Sequence, residues 1–107
     1  MLSPLIREAL VRLRGRLEAR FPGRVRSVCL FGSWARGEAT EHSDVDLAVV
    51  IDGLSLAEWR ETLSIGAQLQ LEMEFCFSPF VVSSERFEQL KQGGGIAADI
   101  EREGIAP

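Results

Sequence analysis

Apolar residues recur at helical spacing at the start of the chain and then condense into short unbroken runs. Leu5, Ile6, Leu10, Leu13 and Leu17 fall three or four apart, the mark of an amphipathic helix with one face in a core. Ser3-Pro4 ahead of them offers a hydroxyl cap and then proline at the first helical position. A helix is therefore expected from Pro4 to about Arg20, stopped by Pro22-Gly23. Val25, Val28, Cys29, Leu30 and Phe31 predict a buried strand, and Val45 to Ile51 a second, closed by Asp52-Gly53. Between them Gly32-Ser33 opens a tight turn. Trp34-Ala35-Arg36 follows as one helical turn ended by Gly37, and Glu38 to Ser43 is a polar loop.

Ser55 with Glu58 three residues on matches a capping box, so a second long helix is expected from Leu56 to about Leu71. Its inward residues are predicted to be Leu56, Trp59, Leu63 and Gly66-Ala67. Phe77 to Ser83 reads as a third strand, in which Pro79 restricts pairing. Ser83 or Ser84 caps a helix over Glu85 to Gln92, Gly93-Gly94-Gly95 forms a loop or hinge, and Ile96 to Glu103 a last helical piece stopped by Gly104. The order α-β-α-β-α-β-α predicts an α/β (α+β) layer structure, with residues 1–107 as one domain.

Composition narrows the class. At 107 residues, 46% hydrophobic and 26% charged, the chain can bury a small core of its own. No apolar run approaches the ~18 residues of a membrane span. Met1 to Arg16 mixes Arg and Glu with its apolar residues and lacks the apolar core of a signal peptide, so a cytoplasmic protein is expected. Cys29 and Cys76 lie in apolar, strand-like segments and read as buried free thiols; no Cys-x-x-Cys pair suggests zinc. A net charge of −4 speaks against general nucleic-acid binding. Yet residues 1–36 hold eight Arg against two Glu, and residues 37–107 hold four basic against fourteen acidic side chains. A basic face for a polyanion or acidic partner is one reading, and a solvated Arg-rich helix face is the plainer one.

The candidate chemistry sits in Gly32 to Asp46. A turn that passes from a buried strand directly into a helix exposes backbone N–H groups that favour an anion. Gly32 lets a phosphate approach the backbone, the Ser33 hydroxyl can donate a hydrogen bond, and Arg36 is near enough in sequence to reach a phosphate or an acidic loop residue. Asp44 and Asp46 stand two apart at a strand start, so period-2 geometry puts both carboxylates on one face while Val45 points to the core. Two like charges held together call for a cation, and carboxylate oxygens suit magnesium, which keeps water and phosphate in its remaining positions. Such a pair can hold two metals.

Gly-Ser, ten residues and Asp-x-Asp together recur by chance in about one chain in a thousand of this length, from average residue usage. The arrangement resembles the nucleotidyltransferase superfamily typified by DNA polymerase beta. The fuller form, Gly32-Ser33-x-Ala35-Arg36-Gly37 with Ser43-Asp44-x-Asp46-Leu47, is similar to the minimal nucleotidyltransferases (MNT). The resemblance implies a small mixed sheet flanked by helices. It implies that Gly32 and Ser33, with Arg36 and Ser43, bind ATP or another nucleoside triphosphate, and that Asp44 and Asp46 hold Mg2+ in a two-ion site. The family chemistry moves a nucleoside monophosphate to an acceptor hydroxyl and releases pyrophosphate. Many relatives are encoded beside a HEPN-domain protein, some as toxin–antitoxin pairs in which the HEPN toxin is adenylylated. An antitoxin-like or regulatory subunit that binds such a partner without catalysis is the alternative.

One feature departs from that pattern. Active members carry a third carboxylate in the third strand, and Phe77-Ser78-Pro79-Phe80-Val81-Val82 has none. Glu74 and Glu72 are the nearest acids, and Glu74 shares strand parity with Ser78 if the strand begins early. His42 reads as a solvated loop residue, Trp34 as core cover rather than a base platform, and Trp59 as helix packing. Phe75, Phe77 and Phe80 are expected in the core or at an interface, a homodimer being one way for so small a domain to cover its edges.

Overall fold

A computed structural model describes residues 2–107. Helix α1 (Pro4–Arg20) begins as its sequence dictates: the Ser3 hydroxyl accepts from the Ile6 N–H at 3.1 Å and Pro4 takes the first turn. Strands β1 (Val25–Phe31) and β2 (Asp46–Ile51) flank the one-turn helix α2 (Ser33–Arg36) and the polar loop. Helix α3 (Leu56–Met73) follows behind a complete Ser55/Glu58 capping box. Then come β3 (Ser78–Ser83), α4 (Ser84–Gln92, capped by Ser83) and α5 (Gly95–Glu103).

The three strands form one mixed sheet in the order β1-β2-β3, antiparallel between β1 and β2 and parallel between β2 and β3. β2 is central, which is why it reads as a continuous apolar run. Alternation along it divides the molecule into two layers. Leu47, Val49 and Ile51, with Val28 and Leu30, face α1 and α3 and pack on Leu10, Leu13, Leu17, Phe21 and Leu69. Ala48, with Cys29 and Phe31, faces the other way, toward Ile100 of α5 and the half-buried Phe80 and Phe87. Asp46 has the parity of Ala48 and opens that second face.

Several expectations need correcting. α3 runs two residues past Leu71, and its inward positions are Thr62, Gly66 and Leu69. Leu56 is 64% exposed, Trp59 is partly exposed, Ala67 is exposed and Leu63 only half-buried. The helix has turned so that Thr62, Gly66 and Leu69 meet the core: Gly66 faces the Phe77 ring, and Thr62 satisfies its hydroxyl on the Glu58 carbonyl at 2.8 Å. Trp59 covers the outer edge of β3 instead, its indole N–H donating to the Val81 carbonyl at 3.0 Å. The strands begin a residue later than their apolar runs, at Asp46 and Ser78, although Val45 and Phe77 are buried as expected. Of the two free thiols, Cys29 is buried but Cys76 is exposed in the turn before β3.

The charge asymmetry resolves inside the fold. Arg16 pairs with Glu72, Arg20 with Glu61 and Arg24 with Glu58, so the last two arginines of α1 and the one in its following turn meet glutamates of α3, while Arg12 and Arg14 pair with Glu8 and Glu18 within α1. Arg26 of β1 pairs with Asp52 at 2.7 Å. The basic first third is thus largely neutralised by the acidic remainder rather than left as a face for a polyanion. Among the described residues, no helix is long and apolar enough to cross a membrane.

Candidate active site

The turn after β1 depends on Gly32. Its backbone lies at φ +77°, in the left-handed region, and a Cβ built there would overlap the Oδ2 of Asp46. One glycine therefore lets the chain enter α2 and lets the carboxylate of the central strand lie against the turn. No side chain caps the start of α2, so its first N–H groups are left for another acceptor. Gly37, at φ +73°, ends the helix. Ser33 is its first residue.

Trp34 joins two parts of the site. It packs on the core cluster, as expected, and its indole N–H donates to the Ser43 carbonyl at 3.1 Å. The loop is thereby fastened beside α2 just ahead of the aspartates. Ser43 closes the loop itself: its hydroxyl accepts from the Thr40 N–H at 2.9 Å. His42 is exposed, as expected, with its ring 3.4 Å from Glu41.

Asp44 is exposed just before β2, and Asp46, half-buried, is its first residue, flanked by Phe31 of β1 and Ser78 of β3. The Asp46 carboxyl is raised above its ordinary value, first by lost hydration and then by the Asp44 charge, with Arg36 partly offsetting both. Arg36 is gripped from two sides: its Nε donates to Glu38 Oε1 at 2.9 Å and its Nη1 to Glu103 Oε2 at 3.1 Å. Sequence reasoning missed Glu103, because it lies 67 positions from its partner and carries no local motif.

Glu74 is not brought into this group. It caps the end of α3 in a left-handed conformation, φ +51°, and is exposed. Among the described residues, no cluster of three acidic, histidine or cysteine side chains forms a metal site. The residue beside Asp46 on β3 is Ser78, whose hydroxyl is a neutral oxygen. The reason is chain length: β3 begins at Ser78, and the turn after Glu74 is used to bury Phe77. Glu72 is paired with Arg16 on the opposite layer.

The donor set still fits a hard divalent cation. Two carboxylates leave one strand start, and Gly32 keeps the adjacent space free of side chain. Glu38 and Glu103 pair with Arg36, and Asp44 and Asp46 add two more carboxylates at the start of β2. With four carboxylates and one guanidinium among them, these residues repel a polyphosphate unless a cation arrives with it.

The family model described as the nucleotidyltransferase domain matches residues 10–102. The chain belongs to that family. Nucleotidyltransferases of this family use a nucleoside triphosphate and a divalent metal, and nucleotide is the substrate class membership implies here. The chain is similar to two Methanocaldococcus jannaschii proteins named as proposed protein adenylyltransferases. One is 32% identical over 68% of this nucleotidyltransferase and 69% of the relative; the other is 45% identical over 39% and 42%. A solved structure described as a proposed minimal nucleotidyltransferase matches with a TM-score of 0.50 and 29% identity, over 92% of this chain and 95% of that one. A crystal structure of a proposed nucleotidyltransferase from Sulfolobus solfataricus matches with a TM-score of 0.53 over 83% and 82%; at 19% identity it supports the fold alone.

Proposed function

We propose that this nucleotidyltransferase binds ATP with Mg2+ between the Gly32-Ser33 turn and the Asp44/Asp46 pair, and transfers AMP to a hydroxyl of a partner protein. The observation that carries the reading is the seating of the Asp46 carboxylate against Gly32, which joins the phosphate half of the motif to its metal half. In this reading the Ser33 hydroxyl and the first N–H groups of α2 bind the phosphates, and Arg36 adds a cation beside them. Asp44 and Asp46 hold Mg2+, which when bound neutralises phosphate charge and favours loss of pyrophosphate. The names of the Methanocaldococcus jannaschii relatives favour a protein acceptor. A HEPN-type helical protein is the partner class we infer, and two unpaired cysteines fit a reducing, cytoplasmic setting.

A second reading has its own observation. Ser78 stands beside Asp46 where an acid would complete the site and deprotonate the acceptor. The chain would then bind nucleotide and act on its partner chiefly by contact. Incubation with α-labelled ATP, magnesium and the product of the neighbouring gene separates the two. Label on the partner that disappears in the Asp44→Asn/Asp46→Asn double variant supports transfer. Inhibition of the partner without label, unchanged in the double variant, overturns transfer and leaves contact. Absence of any magnesium-dependent triphosphate binding in calorimetry overturns the site itself.

A further inference from the structure

The last helix reaches the candidate site through Glu103, which pairs with Arg36 at 3.1 Å. α5 is entered through Gly94 and Gly95, both at positive φ (+78° and +71°), so its approach is set by a turn that other residues adopt at a cost. Its exit is fixed more tightly. Ile105 exchanges both backbone hydrogen bonds with Leu30, at 2.9 and 2.8 Å, and so adds a bridge to the outer edge of β1. Gly104 is wedged between the Ile100 carbonyl and the Cys29 sulfur, where a Cβ would come within 2.6 Å and 2.8 Å of them. The chain two residues beyond Glu103 is thus pinned beside the residue two before Gly32. Glu103 has little freedom and is only 20% exposed at its side chain; its Oε2 accepts from Arg36, and its Oε1 lies 3.5 Å from the Arg102 guanidinium.

That grip is directional. Glu38 takes Nε and Glu103 takes Nη1, while Nη2 makes no hydrogen bond among the described residues. A guanidinium held on two of its nitrogens presents the third along a fixed line, and this one stands on the single helical turn that Gly32 opens, the Arg36 N–H donating to the Gly32 carbonyl at 3.1 Å.

We propose that Glu103 is a positioning residue: it fixes Arg36 so that the free edge of the guanidinium meets the outer phosphates of the nucleotide. The inference rests on the triphosphate reading given above. It adds that the C-terminal helix, which shares no motif with the Gly-Ser turn, is the second wall of the phosphate subsite. The repulsion between the Glu103 carboxylate and a phosphate works against binding, so the proposal is a claim about which effect wins. A fixed, charge-assisted contact from Arg36 outweighs the residual charge of a carboxylate already paired with that guanidinium.

The test measures magnesium-dependent binding of ATP and of AMP by calorimetry to the wild type, Glu103→Gln, Glu103→Asp, Arg36→Met and the Glu103→Gln/Arg36→Met double variant. Glu103→Gln is expected to weaken ATP binding on the order of tenfold and to change AMP binding far less, because the lost contact is to the outer phosphates. The double variant is expected to bind no worse than Arg36→Met alone, as it must if Glu103 acts through Arg36. Glu103→Asp should recover part of the loss. ATP binding that is unchanged or tighter in Glu103→Gln, or losses that add in the double variant, overturns the proposal. So does an equal loss for ATP and AMP, which is what a merely structural role would give. Wild-type protein that binds no triphosphate overturns the nucleotide reading and this inference together; wild-type binding that Glu103→Gln leaves intact overturns the inference alone.

Discussion

The two faces of the sheet are built from the same strands and do opposite things with charge. On the α1/α3 face, Leu10, Leu13, Leu17, Phe21 and Leu69 close over Leu47, Val49 and Ile51, and the arginines at its rim each meet a carboxylate. On the α4/α5 face the apolar cluster is smaller, and charge gathers at one end with carboxylates in excess. The first face is a stability device, with its polar groups satisfied. The second leaves Asp44 and Asp46 mutually repelling at the mouth of the central strand, an arrangement that costs stability unless a cation is bound. The site is thus the part of the molecule where local rules are broken.

The largest effects should fall on the closed face. Leu13→Ala removes a side chain that is 1% exposed, and urea unfolding should show a loss of about 2–5 kcal/mol. If Leu13→Ala costs under 1 kcal/mol, the layers are less distinct than described. Next is Gly32→Val. The new side chain meets both the left-handed backbone and the Asp46 carboxylate, so magnesium-dependent triphosphate binding should vanish while stability falls by only about 1–3 kcal/mol. A variant that binds normally would mean that the contact between the turn and Asp46 is not needed for the site.

A smaller effect of opposite sign tests the idea of a strained site. Asp44→Asn removes the charge that disfavours ionised Asp46, so in magnesium-free buffer the protein should gain on the order of 0.5 kcal/mol, measured by urea unfolding. Excess magnesium should stabilise the wild type and not the variant. A loss of stability in Asp44→Asn without metal would show that the pair is supported by contacts other than a cation.

How far each face could be read in advance follows from the range of the interactions that build it. α1, β1, the Gly32-Ser33 turn and the Ser55/Glu58 cap are specified by residues within four positions of one another, and each forms where its pattern puts it. The inward stripe of α3 did not follow from its largest apolar residues. Gly66 fits against the Phe77 ring and Leu69 fills the core, while Leu56 and Trp59 stay at the surface. The Asp44/Asp46 pair was legible because both carboxylates come from one strand start. Its surroundings were not: Arg36 finds Glu103 across the whole chain, and Glu74 is kept away by a turn whose length only the folded structure shows. The charge imbalance between the two ends of the sequence read as a possible basic face, when it is the α1–α3 contact written along the chain.

The finest test of the contrast is the acid side of the stability curve. Glu58 lies on the closed face, where the Arg24 guanidinium and then the Ser55 N–H hold its carboxyl down to about 2, from an ordinary value of 4.5. Its folded-state value is depressed, so on acidification the unfolded chain takes up the proton first. The stability it supplies is complete above about pH 4.5 and is lost as pH falls toward 2. Asp52, lowered by Arg26 and Ser84, and Glu72, lowered by Arg16 and Gln68, act in the same sense. Glu58→Gln keeps a side chain that can complete the capping box but removes the titration. Urea unfolding in magnesium-free buffer between pH 6 and 2 should therefore show a lower plateau and a shallower acid limb for Glu58→Gln than for the wild type, with Arg24→Met shallower in the same way. An acid limb as steep in Glu58→Gln as in the wild type would mean that the rim pairs of the closed face hold no charge-dependent stability, and that its packing alone sets it apart from the face bearing the site.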